Sequence, residues 1–336
     1  MTTADQGRAQ GRWSLSHGRL IAVLVAIAVL AFVTSLLLGP DGFGLPAGER
    51  ASRIVLMEIR LPRAVLGLLV GGALGLSGAV LQGYLGNPLA EPGLLGVSGG
   101  AALGAVIAIH SGLAGAYALA LPAGGLVGAG IAAALVLLLA GDRSSPITLI
   151  LAGVAISSLA AALTSLALNL ASNPFASVEI VFWLMGSLTD RSLLHVWLAA
   201  PLILLGAALL LRSAPALDAL SLGEDAARNL GFDLDRLKVL VVLGTALAVG
   251  AATAVAGTIG FVGLVVPHLV RPLVRHRPGR VLVPAFLAGG TLVLLADVAL
   301  RMLSPAGDIK LGVLTALVGA PFFLWLVLAT RRELAA

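Results

Sequence analysis

Residues 82–101 read QGYLGNPLAEPGLLGVSGGA, an Asn-Pro, a Glu-Pro and a glycine-rich run set into a chain that is otherwise almost continuously apolar. Such a stretch suits a broken membrane helix, a serine nucleophile on a sharp turn, or a loop of a larger machine. Its surroundings decide the fold class. Residues 64–90 and 239–270 contain no Lys, Arg, Asp or Glu, and each run exceeds the roughly 20 residues that a helix needs to cross the hydrocarbon layer. Over 336 residues the chain is 59% hydrophobic and 11% charged, with a mean hydropathy of +1.06. A soluble domain of this length cannot bury that much apolar surface. In lipid the backbone must satisfy its own hydrogen bonds, so the reading is an all-α polytopic membrane protein. Proline disfavours helix in the residue before it, which makes 87–88 and 91–92 turns.

Apolar runs between breakers predict about ten transmembrane helices, near 20–38, 61–83, 93–109, 115–140, 147–169, 193–211, 238–256, 258–274, 281–302 and 312–330. The organisation is a polar tail at 1–19, one membrane domain at 20–330 and a short tail at 331–336. Leu20–Leu38 is as long as a full span and ends at Gly39-Pro40 without a small-residue cleavage site, so it reads as a retained helix instead of a signal peptide. An even number of spans puts both termini on one side. With that side cytoplasmic, fourteen of the 21 basic residues lie inside and seven outside, the latter Arg50, Arg53, Arg60, Arg63, Arg191, Arg301 and Lys310. This asymmetry favours cytoplasmic termini. The net charge of +5 comes from arginines dispersed between apolar blocks, which argues against a nucleic-acid partner. Cysteine is absent, which excludes disulfides and thiolate chemistry.

Gly96-Val-Ser98-Gly-Gly100 fits the G-x-S-x-G pattern, but that motif needs a strand before it and a soluble α/β setting. An intramembrane serine protease built on Ser77 or Ser98 would need a base, for which His110 is the nearest histidine in sequence. The two lysines, Lys238 and Lys310, neither follow glycine nor precede Ser or Thr, so the chain carries no phosphate-binding loop of its own. Residues 221–231, SLGEDAARNLG, read as a short free-standing helix. Ser221 and Glu224 form a capping box, Glu224 and Asp225 suit its positive end, Arg228 suits its negative end, and Gly231 is a left-handed cap. Asp297 and Arg301 sit one helical turn apart near the outer end of a span, spaced for an ion pair. A proton relay for an ion-coupled secondary transporter would need more such groups than this one carboxylate.

Six ordered motifs extend these readings: Arg60-Leu-Pro-Arg63, a glycine-rich helix to Gln82, Asn87-Pro-Leu-Ala-Glu-Pro-Gly-Leu-Leu-Gly-Val-Ser98, Leu222-Gly-Glu to Leu230-Gly231, Gly260-Phe-Val-Gly-Leu-Val-Val-Pro-His268 with Arg271, and Ala296-Asp297 with Arg301. Together they resemble the FecCD family, the permease subunits of type II ABC importers for iron-siderophore complexes, haem and cobalamin. The resemblance implies a multi-pass permease of the bacterial inner membrane, paired with a second copy or a homologue. It also implies two ATPase subunits that carry ATP and Mg, a periplasmic substrate-binding protein, and no cofactor on this chain. By the same resemblance, Arg60, Arg63 and Arg301 dock the binding protein. Coupling helices lie near 213–237, with Leu222, Gly223, Glu224, Ala227, Arg228, Leu230 and Gly231 contacting the ATPase, and Asn87 and Leu89 close a cytoplasmic gate. A ferric siderophore ranks first as cargo, ahead of cobalamin and haem. The chain departs from the family pattern at Asp308-Ile-Lys310-Leu-Gly312 and in the more basic stretch 271–280.

Overall fold

The computed structural model describes residues 16–39, 42–46, 48–141, 145–171, 173–303 and 309–334. Residues 1–15 of the expected N-terminal tail, Arg143, Asp308 and residues 335–336 lie outside them. The chain runs α1 (His17–Leu37), a two-stranded antiparallel hairpin (β1 Leu38–Gly39, β2 Gly42–Phe43), α2 (Glu49–Ile54), a π-helical turn (Val55–Arg60) and α3 (Leu61–Tyr84). After a 3-10 turn (Pro92–Leu95) come α4 (Val97–His110), α5 (Leu113–Ala116), α6 (Ala120–Ala140), α7 (Pro146–Asn169), α8 (Pro174–Leu184) and α9 (Leu193–Arg212). The remainder is α10 (Ala214–Leu220), α11 (Glu224–Asn229), α12 (Leu234–Ala256), α13 (Val262–Val270) with a 3-10 turn (Arg271–Val274), α14 (Pro278–Leu303) and α15 (Leu311–Leu334).

Among the described residues eight helices, not ten, have the length and composition to cross a membrane: α1, the continuous run Glu49–Tyr84, α6, α7, α9, α12, α14 and α15. Each coincides with an expected span. The other two expected spans are short, and local chemistry explains both. Glu91 is extended ahead of Pro92 and Gly96 adopts φ 73°, so α4 begins only at Val97. Its 14 residues rise about 21 Å, against about 30 Å of hydrocarbon. Gly257 (φ 72°) and Phe261 (φ 67°) break the chain between α12 and α13, leaving α13 nine residues before its 3-10 extension. The short apolar helix α8 was not anticipated. Its start is written locally, since Asn173 Oδ1 accepts from Phe175 N at 2.9 Å and Pro174 fills the first turn.

The core centres on α3, which is buried along nearly its whole length against α12, α13 and α14. Lipid offers no hydrophobic drive between helices, so association depends on close van der Waals packing, and small residues permit it. A Cβ added at Gly78 would meet the backbone carbonyl of Gly263, and one at Gly71 the carbonyl of Gly289. The outer helices are the reverse: α1 exposes Val29 and Leu30, and α15 exposes Leu317 and Val318, as lipid-facing surfaces do. Contacts divide the bundle into two ends. One gathers the hairpin, the start of α3 and the last turns of α14. The opposite end gathers residues 85–96, α10, α11 and the 271–280 segment.

Candidate functional site

At the first end the three arginines expected to dock a partner are engaged within the chain. The π-helical turn delivers Arg60, whose Nη1 donates to the carbonyls of Leu36 (2.9 Å), Leu37 (3.0 Å) and Gly44 (2.8 Å). Arg63 approaches Asp297 side-on, with Nε 3.0 and 2.9 Å from the two carboxylate oxygens and Nη2 2.8 Å from Oδ1. Arg301, on the same face of α14 as Asp297, places Nη2 2.9 Å from Oδ2. It also donates to Ser35 O (3.0 Å), Leu38 O (2.9 Å) and Ser35 Oγ (2.6 Å). Arg60 and Arg301 are each 8% exposed and Asp297 is 1% exposed. The group clasps the end of α1 and the hairpin to α3 and α14. The expected Asp297–Arg301 pair is present, and the link from Arg63 across 234 residues is an addition that local spacing does not signal. Among the described residues the exposed cations of this end are Arg50 and Arg53, near Glu49 and Glu58 in sequence. Because the Asp297 carboxylate lies between two guanidiniums, its surroundings are those of a structural ion cluster and not of a proton relay.

At the opposite end the 213–237 segment folds into the two short helices α10 and α11. Gly223 (φ 103°), not Ser221, caps α11; Ser221 donates to Asp218 O at 2.6 Å and closes α10 instead. The predicted capping box fails because two helices meet here, and the serine satisfies a carbonyl of the first. The predicted stop at Gly231 is present: with φ 88°, Gly231 N donates to Arg228 O (2.9 Å) and Phe232 N to Ala227 O (3.1 Å). That paired pattern needs a left-handed residue, which glycine supplies without strain. Ala227 is fully buried and anchors α11, whereas Leu222 and Leu230 are 69% and 61% exposed among the exposed Glu224, Asp225 and Arg228. An apolar pair displayed on a rigid, charged knob suits insertion into a partner.

The opening loop lies beside it. Asn87 Oδ1 accepts from Leu89 N (2.9 Å) and Ala90 N donates to Asn87 O (3.1 Å), so the asparagine shapes the turn. Leu89 packs onto Leu264, Val265 and Leu326 of α13 and α15. Glu91 is half-buried, and its desolvation raises the carboxyl above the ordinary range, partly offset by a backbone hydrogen bond with Phe261. Arg271 Nη2 donates to Gln82 Oε1 (2.8 Å), and Gln82 Nε2 lies 3.4 Å from Leu264 O, tying α3 to α13. This link was not singled out in the sequence, although both residues belong to its motifs. Ser98 and His110 sit on one helix, α4, twelve positions apart, about 18 Å along the axis, so they cannot form a nucleophile–base pair. Ser77 is buried with its hydroxyl unpartnered. No group of three or more His, Asp or Glu that could hold a metal occurs among the described residues.

The described residues form a bundle of membrane-crossing helices with a rigid, charged knob at one end. The chain belongs to the FecCD transport family, whose model matches residues 18–329. It is 39% identical over 317 residues to the vitamin B12 import system permease protein BtuC of Citrobacter koseri, covering 94% of this chain and 95% of that protein. It is 41% identical over 292 residues to the cobalamin import system permease protein BtuC of Halobacterium salinarum, covering 86% and 76%. Among solved structures it superposes, with a TM-score of 0.85 and 35% identity, on an inward-facing ABC transporter whose type is given as metal-chelate, covering 93% of this chain and 99% of that one. It is a multi-pass permease, and its ordered motifs lie within the matched region.

Proposed function

We propose that this chain is the permease subunit of an ATP-driven importer of a metal chelate of the cobalamin type. The observation that carries this reading is the 38–39% identity, over nearly the full length, with vitamin B12 import permeases. That support moves cobalamin ahead of the ferric siderophore in the cargo ranking, with haem third. The working assembly is a permease dimer, two ATPase subunits at the α10–α11 end, and a periplasmic binding protein at the arginine end. Both termini are cytoplasmic in this assembly. The arginine clasp orders the docking face, and Arg50 and Arg53 add exposed positive charge to it. Acidic side chains on a binding protein complement that field. ATP binding draws the ATPases together and moves α11. Leu89 rides on α13 and α15, so a shift of those helices opens or closes the inner gate at Asn87 and Leu89.

The coupling assignment has a direct test. In the double variant Leu222→Asp, Leu230→Asp the fold stays intact, because both side chains are exposed. The ATPase is expected to co-purify at least tenfold more weakly, and uptake is expected to fall to background. Wild-type recovery of the ATPase by this variant would show that the knob is not where the engine attaches.

A further inference from the structure

Outside the regions used above, a polar cavity of about 670 Å³ lies at the start of α1, between Ser16, His17 and Arg19 on one side and Leu273, Val274, Arg275 and Arg280 on the other. We propose that it binds the phosphate of an anionic phospholipid headgroup, with the acyl chains lying along α1 and the exposed Leu269 and Leu273. Three arginines and a histidine converge on the cavity, and no acidic side chain lines it among the described residues. Asp218 of α10, the carboxylate that bonds to the 271–280 segment, accepts from Gly279 N at 2.8 Å. His17 contributes to the lining, and its Nδ1 is buried without a hydrogen-bond partner. The 21-residue α1 begins here, capped by Ser16, and adds the positive end of its dipole.

The setting selects a lipid over a free anion. The cavity opens beside lipid-facing surface: Val23 and Ile27 on α1, Leu269 on α13 and Leu273 after it are all between 43% and 57% exposed. Basic pockets at the border of a helix bundle and the headgroup layer recognise anionic lipids in this way. A bound headgroup would staple α1 to the segment that joins α13 to α14, next to the helices that carry the inner gate.

The test uses the full chain in nanodiscs of phosphatidylcholine with increasing phosphatidylglycerol, read by retained lipid in native mass spectrometry and by thermal shift. Wild-type protein is expected to retain phosphatidylglycerol selectively and to be stabilised by it, with inorganic phosphate alone giving no shift. Arg19→Gln with Arg280→Gln is expected to weaken retention by about thirtyfold, the effect of two basic residues near an anionic surface. The charge-matched pair Arg212→Gln with Arg236→Gln, exposed at the same end, is expected to retain lipid as wild type does. An equal stabilisation by inorganic phosphate, no preference over phosphatidylcholine in wild type, or an equal loss in the charge-matched pair would each overturn the proposal.

Discussion

Replacing Asp297 with alanine is expected to remove most of the folded protein. The carboxylate is buried and holds Arg63 at 2.8 Å and Arg301 at 2.9 Å. Its loss would leave two guanidiniums facing each other without a counter-ion, and breaking a buried pair from one side costs about 3–5 kcal/mol. That is a large share of the roughly 5–15 kcal/mol by which folded domains are stable. Arg301 also carries the bonds to Ser35 and Leu38, so the end of α1 and the hairpin should loosen with it. Monodisperse yield and melting temperature in detergent report the loss. Asp297→Asn should be intermediate, since it keeps an acceptor and loses the charge. Adding Arg63→Leu and Arg301→Met to the alanine variant should recover part of the stability, because the two guanidiniums that lost their counter-ion are then gone. An unchanged melting temperature in Asp297→Ala would show that the cluster does not hold the fold together.

Gly78→Val is expected to be nearly as damaging, through packing and not charge. Gly78 faces the backbone carbonyl of Gly263 across the α3–α13 contact, and a backbone atom cannot rotate away as a side chain can. Overpacking a tight interior costs about 1–3 kcal/mol and sometimes more. Here it also pushes α13 outward, the helix on which Leu89 rests. Transport should therefore fail even where folded protein survives. Gly115→Ala and Gly130→Ala, where nothing lies within 4 Å of the added carbon, should be silent in both assays. Full transport by Gly78→Val would mean that the close α3–α13 approach is dispensable.

Much of the architecture was readable because it depends on local composition. Apolar runs located all eight crossing-length helices, since lipid imposes a length and polarity that no tertiary context overrides. Two expected spans are short because hydropathy does not register a left-handed Gly96 or Phe261 that shortens a helix inside an apolar run. Local signals survived elsewhere: the stop at Gly231 and the turn shaped by Asn87 each rest on bonds between near neighbours. Ser221 closes α10 instead of capping α11 because its hydroxyl lies between two adjacent helices and bonds to the first. The fate of Arg60 and Arg63 was not legible at all. Charge counting placed them outside, but only the folded chain brings Asp297 and the carbonyls at the end of α1 within reach. The lipid cavity was hidden for the same reason, being assembled from residues near 17 and near 275. The 271–280 segment stood out in sequence only as unusually basic.

The central claim is that this chain forms the path of an ATP-driven importer. The most direct measurement is uptake of radiolabelled cobalamin into proteoliposomes that hold the permease, its ATPase and its loaded binding protein, with ATP inside or absent and with or without a protonophore. Accumulation is expected only with ATP, the ATPase and the binding protein all present, and collapse of the proton gradient should leave it unchanged. Uptake that persists without ATP and disappears with the protonophore would contradict the account.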